Sequence, residues 1–159
     1  MELSRLRRGE LIAAIGGLVL LFSLLFLNWY SIGASVSTPL GNFSVGASLG
    51  AWDKQGFTGT LANLVILAAA LSAVGLGVLA AMPQTFALPV AASALTTALG
   101  IAAVVLVFGR MVFQPLPNEF VDLEIGIFIA LAGAFAVTAG GWLSMDEEAP
   151  TAGGGTARY

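Results

Sequence analysis

Four stretches of the chain stay apolar for about 20 residues each, the length an α-helix needs to cross a bilayer, and the segments between them turn polar or change period. The first predicted crossing covers residues 11–29, interrupted only by small residues and Ser23 and closed by Asn28, Trp29 and Tyr30. Tryptophan and tyrosine favour the headgroup level, which puts Trp29 and Tyr30 at the far interface. Residues 31–59 form the one long connector. In it Ile32, Ala34 and Val36, then Phe43, Val45, Ala47 and Leu49, alternate with polar or small residues on either side of Thr38-Pro39-Leu40-Gly41-Asn42. That pattern predicts a β-hairpin lying over the outer mouth of the bundle. A hairpin alone is marginal in water, so it needs helix ends or the membrane surface beneath it. The stretch 50–57 returns the chain to the interface, with Trp52 and Phe57 as anchors.

The second and third crossings, 60–82 and 86–109, are joined by the tight Pro83-Gln84-Thr85, which makes them antiparallel neighbours. Pro89 falls in the first turn of the third, where a missing N–H does no harm. A second outer connector, 110–124, carries Arg110, Pro115, Pro117, Glu119, Asp122 and Glu124. The fourth crossing runs over 125–145 and ends at Asp146-Glu147-Glu148, and the tail 149–159 has nothing to bury and is predicted to be disordered. The predicted fold is an all-α membrane protein: one domain over residues 1–148, a four-helix transmembrane bundle with a short extracytoplasmic β-hairpin between helices 1 and 2.

Composition sharpens this picture. Of 159 residues, 58% are hydrophobic and 9% charged, whereas a soluble domain carries roughly a quarter charged residues. With a mean hydropathy of +0.94, lipid is the expected solvent. No basic patch could neutralise several phosphates, so nucleic acid is excluded as a partner. Cysteine and histidine are both absent. That removes disulfides, thiolate nucleophiles, iron–sulfur clusters, bis-imidazole haem ligation, typical zinc sites and the commonest general base. No catalytic, cofactor-binding or metal-ligating residue is therefore assigned. Arg5, Arg7, Arg8 and Arg158 lie on one side of the predicted bundle and Lys54 and Arg110 on the other. The bias places both termini in the cytoplasm and the chain, multi-pass, in the plasma membrane. A basic start before an apolar run also describes a signal peptide, with Ile32-Gly33-Ala34 as cleavage site; its apolar region would be shorter, about 7–15 residues, and a retained helix is expected.

No ionisable residue lies inside the four apolar runs. The layout is similar to that of small multidrug transporters but lacks their membrane-embedded glutamate, which speaks against proton-coupled transport. Asn63 is the most polar side chain within a crossing and is expected to bond to a neighbouring helix or interfacial water. Thr60, Ser72, Ser93, Thr96, Thr97 and Thr138 are expected to bond back to their own helices. Arg110, Glu119, Asp122 and Glu124 could hold a cation or do acid–base work; the favoured reading is a solvated loop with an interfacial salt bridge, Arg110 complementing a helix dipole and Asp122 capping the next helix. Small residues recur at four-residue spacing: Ala13 and Gly17; Ala69, Ala73, Gly77 and Ala81; Thr96 and Gly100; Ala132, Ala136 and Gly140. Such stripes let helix backbones approach closely. No sequence repeat joins the two halves.

The leading functional expectation is a non-enzymatic interaction or accessory protein that uses the 31–59 loop as its outward surface. Its candidate contact residues are Trp29, Tyr30, Phe43, Trp52, Phe57 and Arg110, and its partners are the bilayer and another membrane protein or a second copy of itself. A subunit of an oligomeric channel or transporter, with a pore lined by Ser, Thr and Asn, is the alternative. An enzyme on lipid-linked substrates, using Arg110, Glu119, Asp122 and Glu124, ranks last.

Several short segments resemble a group of uncharacterised four-helix integral membrane proteins of actinobacterial type. They are Leu6-Arg7-Arg8-Gly9-Glu10-Leu11-Ile12-Ala13, Phe26-Leu27-Asn28-Trp29-Tyr30, Ala51-Trp52, Arg110, and Gly141-Trp142-Leu143-Ser144-Met145-Asp146-Glu147. The chain departs from that group at Asn28, often proline there, and at Asn63, often aspartate. The resemblance implies a fold and a compartment but no activity. A helix, an outer β-bearing loop with a tryptophan and three further helices are also similar in outline to claudins, whose paired loop cysteines are missing here.

Overall fold

Arg8–Phe26 winds into the first helix, α1, beginning where the Glu10 carboxylate accepts the Arg7 N–H at 3.0 Å. In the computed structural model, residues 7–39, 41–53, 56–81, 90–113 and 121–148 are described. At 1.5 Å per residue, 19 residues give about 28 Å, close to the thickness of a hydrocarbon core. The helix stops three residues before the expected boundary because Leu27 turns extended, with φ −100° and ψ 144°. Asn28, Trp29 and Tyr30 then open a strand, β1 (Asn28–Thr38), which pairs antiparallel with β2 (Gly41–Gly50). Gly41 makes the turn with φ +136°, a conformation that strains any side chain; Leu40 lies outside the described residues.

The register slips between Asn28 and Tyr30, whose partners are Gly50 and Leu49. Trp29 is the extra residue of this bulge, and bulges re-aim side chains. Farther out, Ser31-Ile32-Gly33-Ala34-Ser35 faces Ser44-Val45-Gly46-Ala47-Ser48, two near-copies of one motif paired about Gly33 and Gly46.

A third strand, β3 (Val121–Leu123), was not expected. It pairs antiparallel with the root of β1, Tyr30 opposite Leu123 and Ile32 opposite Val121, so the sheet order is β2-β1-β3. Asp122, expected to cap a helix, sits in this strand opposite Ser31. Among the described side chains of the hairpin, those beyond its root face outward. Gly33, Gly46, Ala47 and Ser48 are exposed, and a Cβ at Gly33 would meet nothing within 4 Å. Among the described side chains, it is the root of the sheet, Trp29, Tyr30, Ile32, Leu49 and Leu123, that packs toward the helices.

The remaining helices are α2 (Phe57–Ala80), α3 (Val90–Val112) and α4 (Ile125–Glu148). Asp146 and Glu147 continue α4 rather than ending it, and Arg110 lies inside α3 rather than after it. The Pro83 turn and Pro89 fall outside the described residues, as does the tail 149–159. Among the described residues, these four helices are long and apolar enough to cross a membrane.

They pack in a ring, α1 between α2 and α4 and α3 between the same two, with the α1–α4 seam the most extensive. That seam is built from backbones. A Cβ at Gly9 would come within 2.5 Å of the Ser144 nitrogen, one at Gly16 within 2.6 Å of the Ala136 Cβ, and one at Gly140 would collide with Ala13. On α2 the predicted line of Ala69, Ala73, Gly77 and Ala81 is buried, and so are Ala13, Gly17, Thr96 and Gly100. On α4 the predicted line holds at Gly140, which is buried, and at Ala136, half-buried against Gly16, but Ala132 is exposed and the seam also takes in Gly133 and Ser144. Large apolar side chains point out, with Ile15 53%, Phe22 55%, Leu71 54% and Val105 63% exposed.

Candidate functional site

Polar chemistry gathers where the sheet root meets the helix ends. The last carbonyls of a helix have no partner within it. Away from water a carbonyl without a donor is costly, and the junction aims side-chain donors at carbonyls of helix ends and turns. Trp29 Nε1 donates to the Ser23 carbonyl at 3.2 Å, beside the Leu27 N–H on the same oxygen. Tyr30 Oη donates to the Arg110 carbonyl in the last turn of α3, also at 3.2 Å. The Ser23 hydroxyl donates to the Gly126 carbonyl at the start of α4. Asn63 Nδ2 donates at 2.7 Å to Ala51, in the turn after β2, and Arg110 Nη1 reaches the same oxygen at 3.4 Å. Arg110 Nη2 donates to Gly59 in the first turn of α2. The guanidinium lies 5.8 Å from the Trp29 ring centre, within cation–π range.

Arg110 thus ties α3 to α2, to the turn after β2 and to the bulged tryptophan. Asn63 is fully buried, and its Oδ1 has no hydrogen-bond partner among the described residues. Burial raises the Tyr30 phenol above its ordinary value of 10.0, with the Arg110 charge pulling the other way.

These positions revise the expected contact surface. Trp29 and Tyr30 are 0% and 2% exposed, so they are core residues and not contact residues. The bulge turns Trp29 inward, and each ring donates to a main-chain carbonyl near a helix end. Arg110 is half-buried, held by carbonyls and a ring. Phe43 pairs with Val36 in β2, but its side chain lies outside what is described. Phe57, the first residue of α2, is 80% exposed, and Trp52 is 40% exposed beside a small cleft it shares with Asn28 and Asp53. The structure therefore brings together Trp29, Tyr30 and Arg110 and leaves Trp52 and Phe57 on the surface.

Among the described residues, no carboxylate of the acidic cluster pairs with Arg110. Glu119 lies outside the described residues, and Asp122 and Glu124 make no ion pair with Arg110 among those described. The hydroxyls mostly behave as expected: Ser72 donates to Ala69, Thr97 to Ser93, Thr138 to Ala134 and Thr60 to Gly56.

Beside Arg110 a cleft of about 490 Å³ opens between α2 and α3, lined by Tyr30, Thr58, Ala62, Val105, Gly109 and Phe113 among others. Fold and junction together define a four-helix protein with membrane-spanning helix lengths and a small three-stranded sheet fastened to one end. No protein-family model matches the chain, and no curated protein matches it either.

Proposed function

We propose that this chain is a multi-pass protein of the plasma membrane, both termini cytoplasmic, acting without catalysis as an interaction or accessory protein through its outer sheet. One observation carries the reading: the distribution of polarity is inverted relative to a soluble bundle. Ile15, Leu18, Phe22, Leu71, Phe108 and Phe135 point outward, while Ser23, Asn63, Ser93, Thr96 and Ser144 are buried. A water-facing surface of that kind would aggregate. In hydrocarbon it is the stable arrangement. The four-helix group of actinobacterial type fits this proposal as its family.

The interaction role is supported by the sheet. Its root is fixed by Trp29, Tyr30 and β3, while β2 has no strand on its outer side among the described residues. A fixed strand with an open edge is a template for adding another. The hydroxyls that donate to their own helix carbonyls support this role over a polar pore.

The natural lack of cysteine makes the test direct. Ala47→Cys should react with a membrane-impermeant maleimide on intact cells, and Asp146→Cys only after permeabilisation. The reverse pattern overturns the orientation, and a chain monodisperse without detergent overturns the membrane assignment. For the interaction role, native mass spectrometry should find a partner or second copy that is lost when Ala47 and Ser48 both become Lys. A lone chain from native membranes overturns it.

A further inference from the structure

The cleft beside Arg110 has two unlike parts. Toward the middle of the bundle its walls are Ala62, Val105 and Leu106; at the sheet end they are Arg110, Thr58 and Tyr30. Gly109 keeps it open, since a Cβ there would meet nothing within 4 Å. Val105 and Phe113 are 63% and 81% exposed, so the cleft faces outward from the bundle.

Charge selects the occupant. Arg110 is held by two carbonyls and the Trp29 ring, and no carboxylate faces it among the described residues. Among the described residues its positive charge has no anionic partner. Guanidinium has five N–H donors in a planar fork suited to phosphate, and toward the described residues Nη1 and Nη2 make one bond each. The apolar walls continue from that charge along α2 and α3, the path of a hydrocarbon chain.

We propose that this cleft binds a phospholipid of net negative charge, its phosphate on Arg110 and part of one acyl chain along Ala62, Val105 and Leu106. The proposal rests on the membrane reading above and adds a specific lipid site to it. About 490 Å³ is within the roughly 300–1,000 Å³ usual for small-molecule pockets, enough for a phosphate and part of a chain. Thr58, at the start of α2, lines the same end.

The test is native mass spectrometry of the full chain in detergent with equal phosphatidylglycerol and phosphatidylcholine of matched chains. Wild type should retain phosphatidylglycerol over phosphatidylcholine by about tenfold, the effect of one charge-assisted contact. Arg110→Gln should bring the ratio to about one, and Arg110→Lys should keep part of the preference. A Cβ at Gly109 meets open space, so Gly109→Leu is expected to fill the cleft and lose both lipids with helical circular dichroism unchanged. Equal retention by wild type overturns the site, as does a preference that survives Gly109→Leu; the latter decides the matter even if Arg110→Gln fails to fold. A chain that needs detergent but shows no preference sinks only this site, whereas one soluble without detergent sinks the membrane reading first.

Discussion

Along the α1–α4 seam, Gly9, Ala13 and Gly16 meet Gly133, Gly140 and Ser144 with almost no side chain between the two backbones. At the junction beneath the sheet, Trp29, Tyr30, Asn63 and Arg110 fill the space with long side chains, and each holds a main-chain carbonyl. The seam gains its attraction from close contact, the means left to helices when lipid is as apolar as they are. The junction gains its attraction from side-chain donors aimed at main-chain carbonyls, bonds for which hydrocarbon offers no water in exchange. Shape holds one region and donors hold the other, so the two should fail under different substitutions.

The largest effect is expected at the seam. Gly140→Leu would drive a branched side chain into Ala13 and should cost about 3 kcal/mol, read as loss of the folded form in detergent unfolding followed by circular dichroism. Gly75→Ala, where a Cβ meets nothing, should stay within about 0.5 kcal/mol; equal losses at both positions would erase the contrast. Next comes Arg110→Ala, which frees the Gly59 carbonyl and weakens the hold on Ala51. About 2 kcal/mol is expected, discounted for partial exposure. A value near zero would mean that water reaches those oxygens. Trp29→Phe keeps the packing but removes the donor to Ser23 and should cost about 1 kcal/mol, with the seam unaffected.

The smallest effect is a pH dependence confined to the junction. With the Tyr30 phenol raised above 10.0, the folded chain keeps a proton that the unfolded chain releases. Its contribution to stability is full below pH 10.0 and falls as pH rises from there toward the folded value. In Tyr159→Phe, tyrosinate absorbance reports Tyr30 alone. It should titrate above 10.0 when folded and near it when denatured. Titration at the ordinary value in the folded chain would show that the ring is not sealed from solvent.

The same contrast governs what could be read from the residues beforehand. The four helices were legible because twenty consecutive apolar residues have few other solutions, and the hairpin because Ile32, Val36, Val45 and Leu49 alternate around a proline turn. Boundaries moved by about a turn, since an apolar run does not mark where its hydrogen bonds stop; at Leu27 the stop depends on Trp29 reaching back to Ser23. On α4, Ala136 and Gly140 fall at the seam as expected but Ala132 is exposed and Gly133 buried instead, because a helix apolar all round has no polar face to fix its phase. The junction was barely legible. An aromatic closing an apolar run serves equally as a headgroup anchor or as a core donor, and nothing near Arg110 in sequence points to carbonyls 51 and 59 positions away. Asn63 stood out as the most polar residue of its helix, but its partner in the turn after β2 did not. β3 is three residues long and has no pattern of its own; it becomes a strand only because β1 stands beside it.

The closest seam in the bundle joins helices that are more than a hundred residues apart in the chain. During synthesis, α1 emerges long before α4 exists, so the groove of Gly9, Ala13 and Gly16 waits without its mate while α2 and α3 are made. The ring closes only when the last helix arrives. A chain halted before that point has no route to the native arrangement, and its bare glycine face is what quality-control proteases would meet.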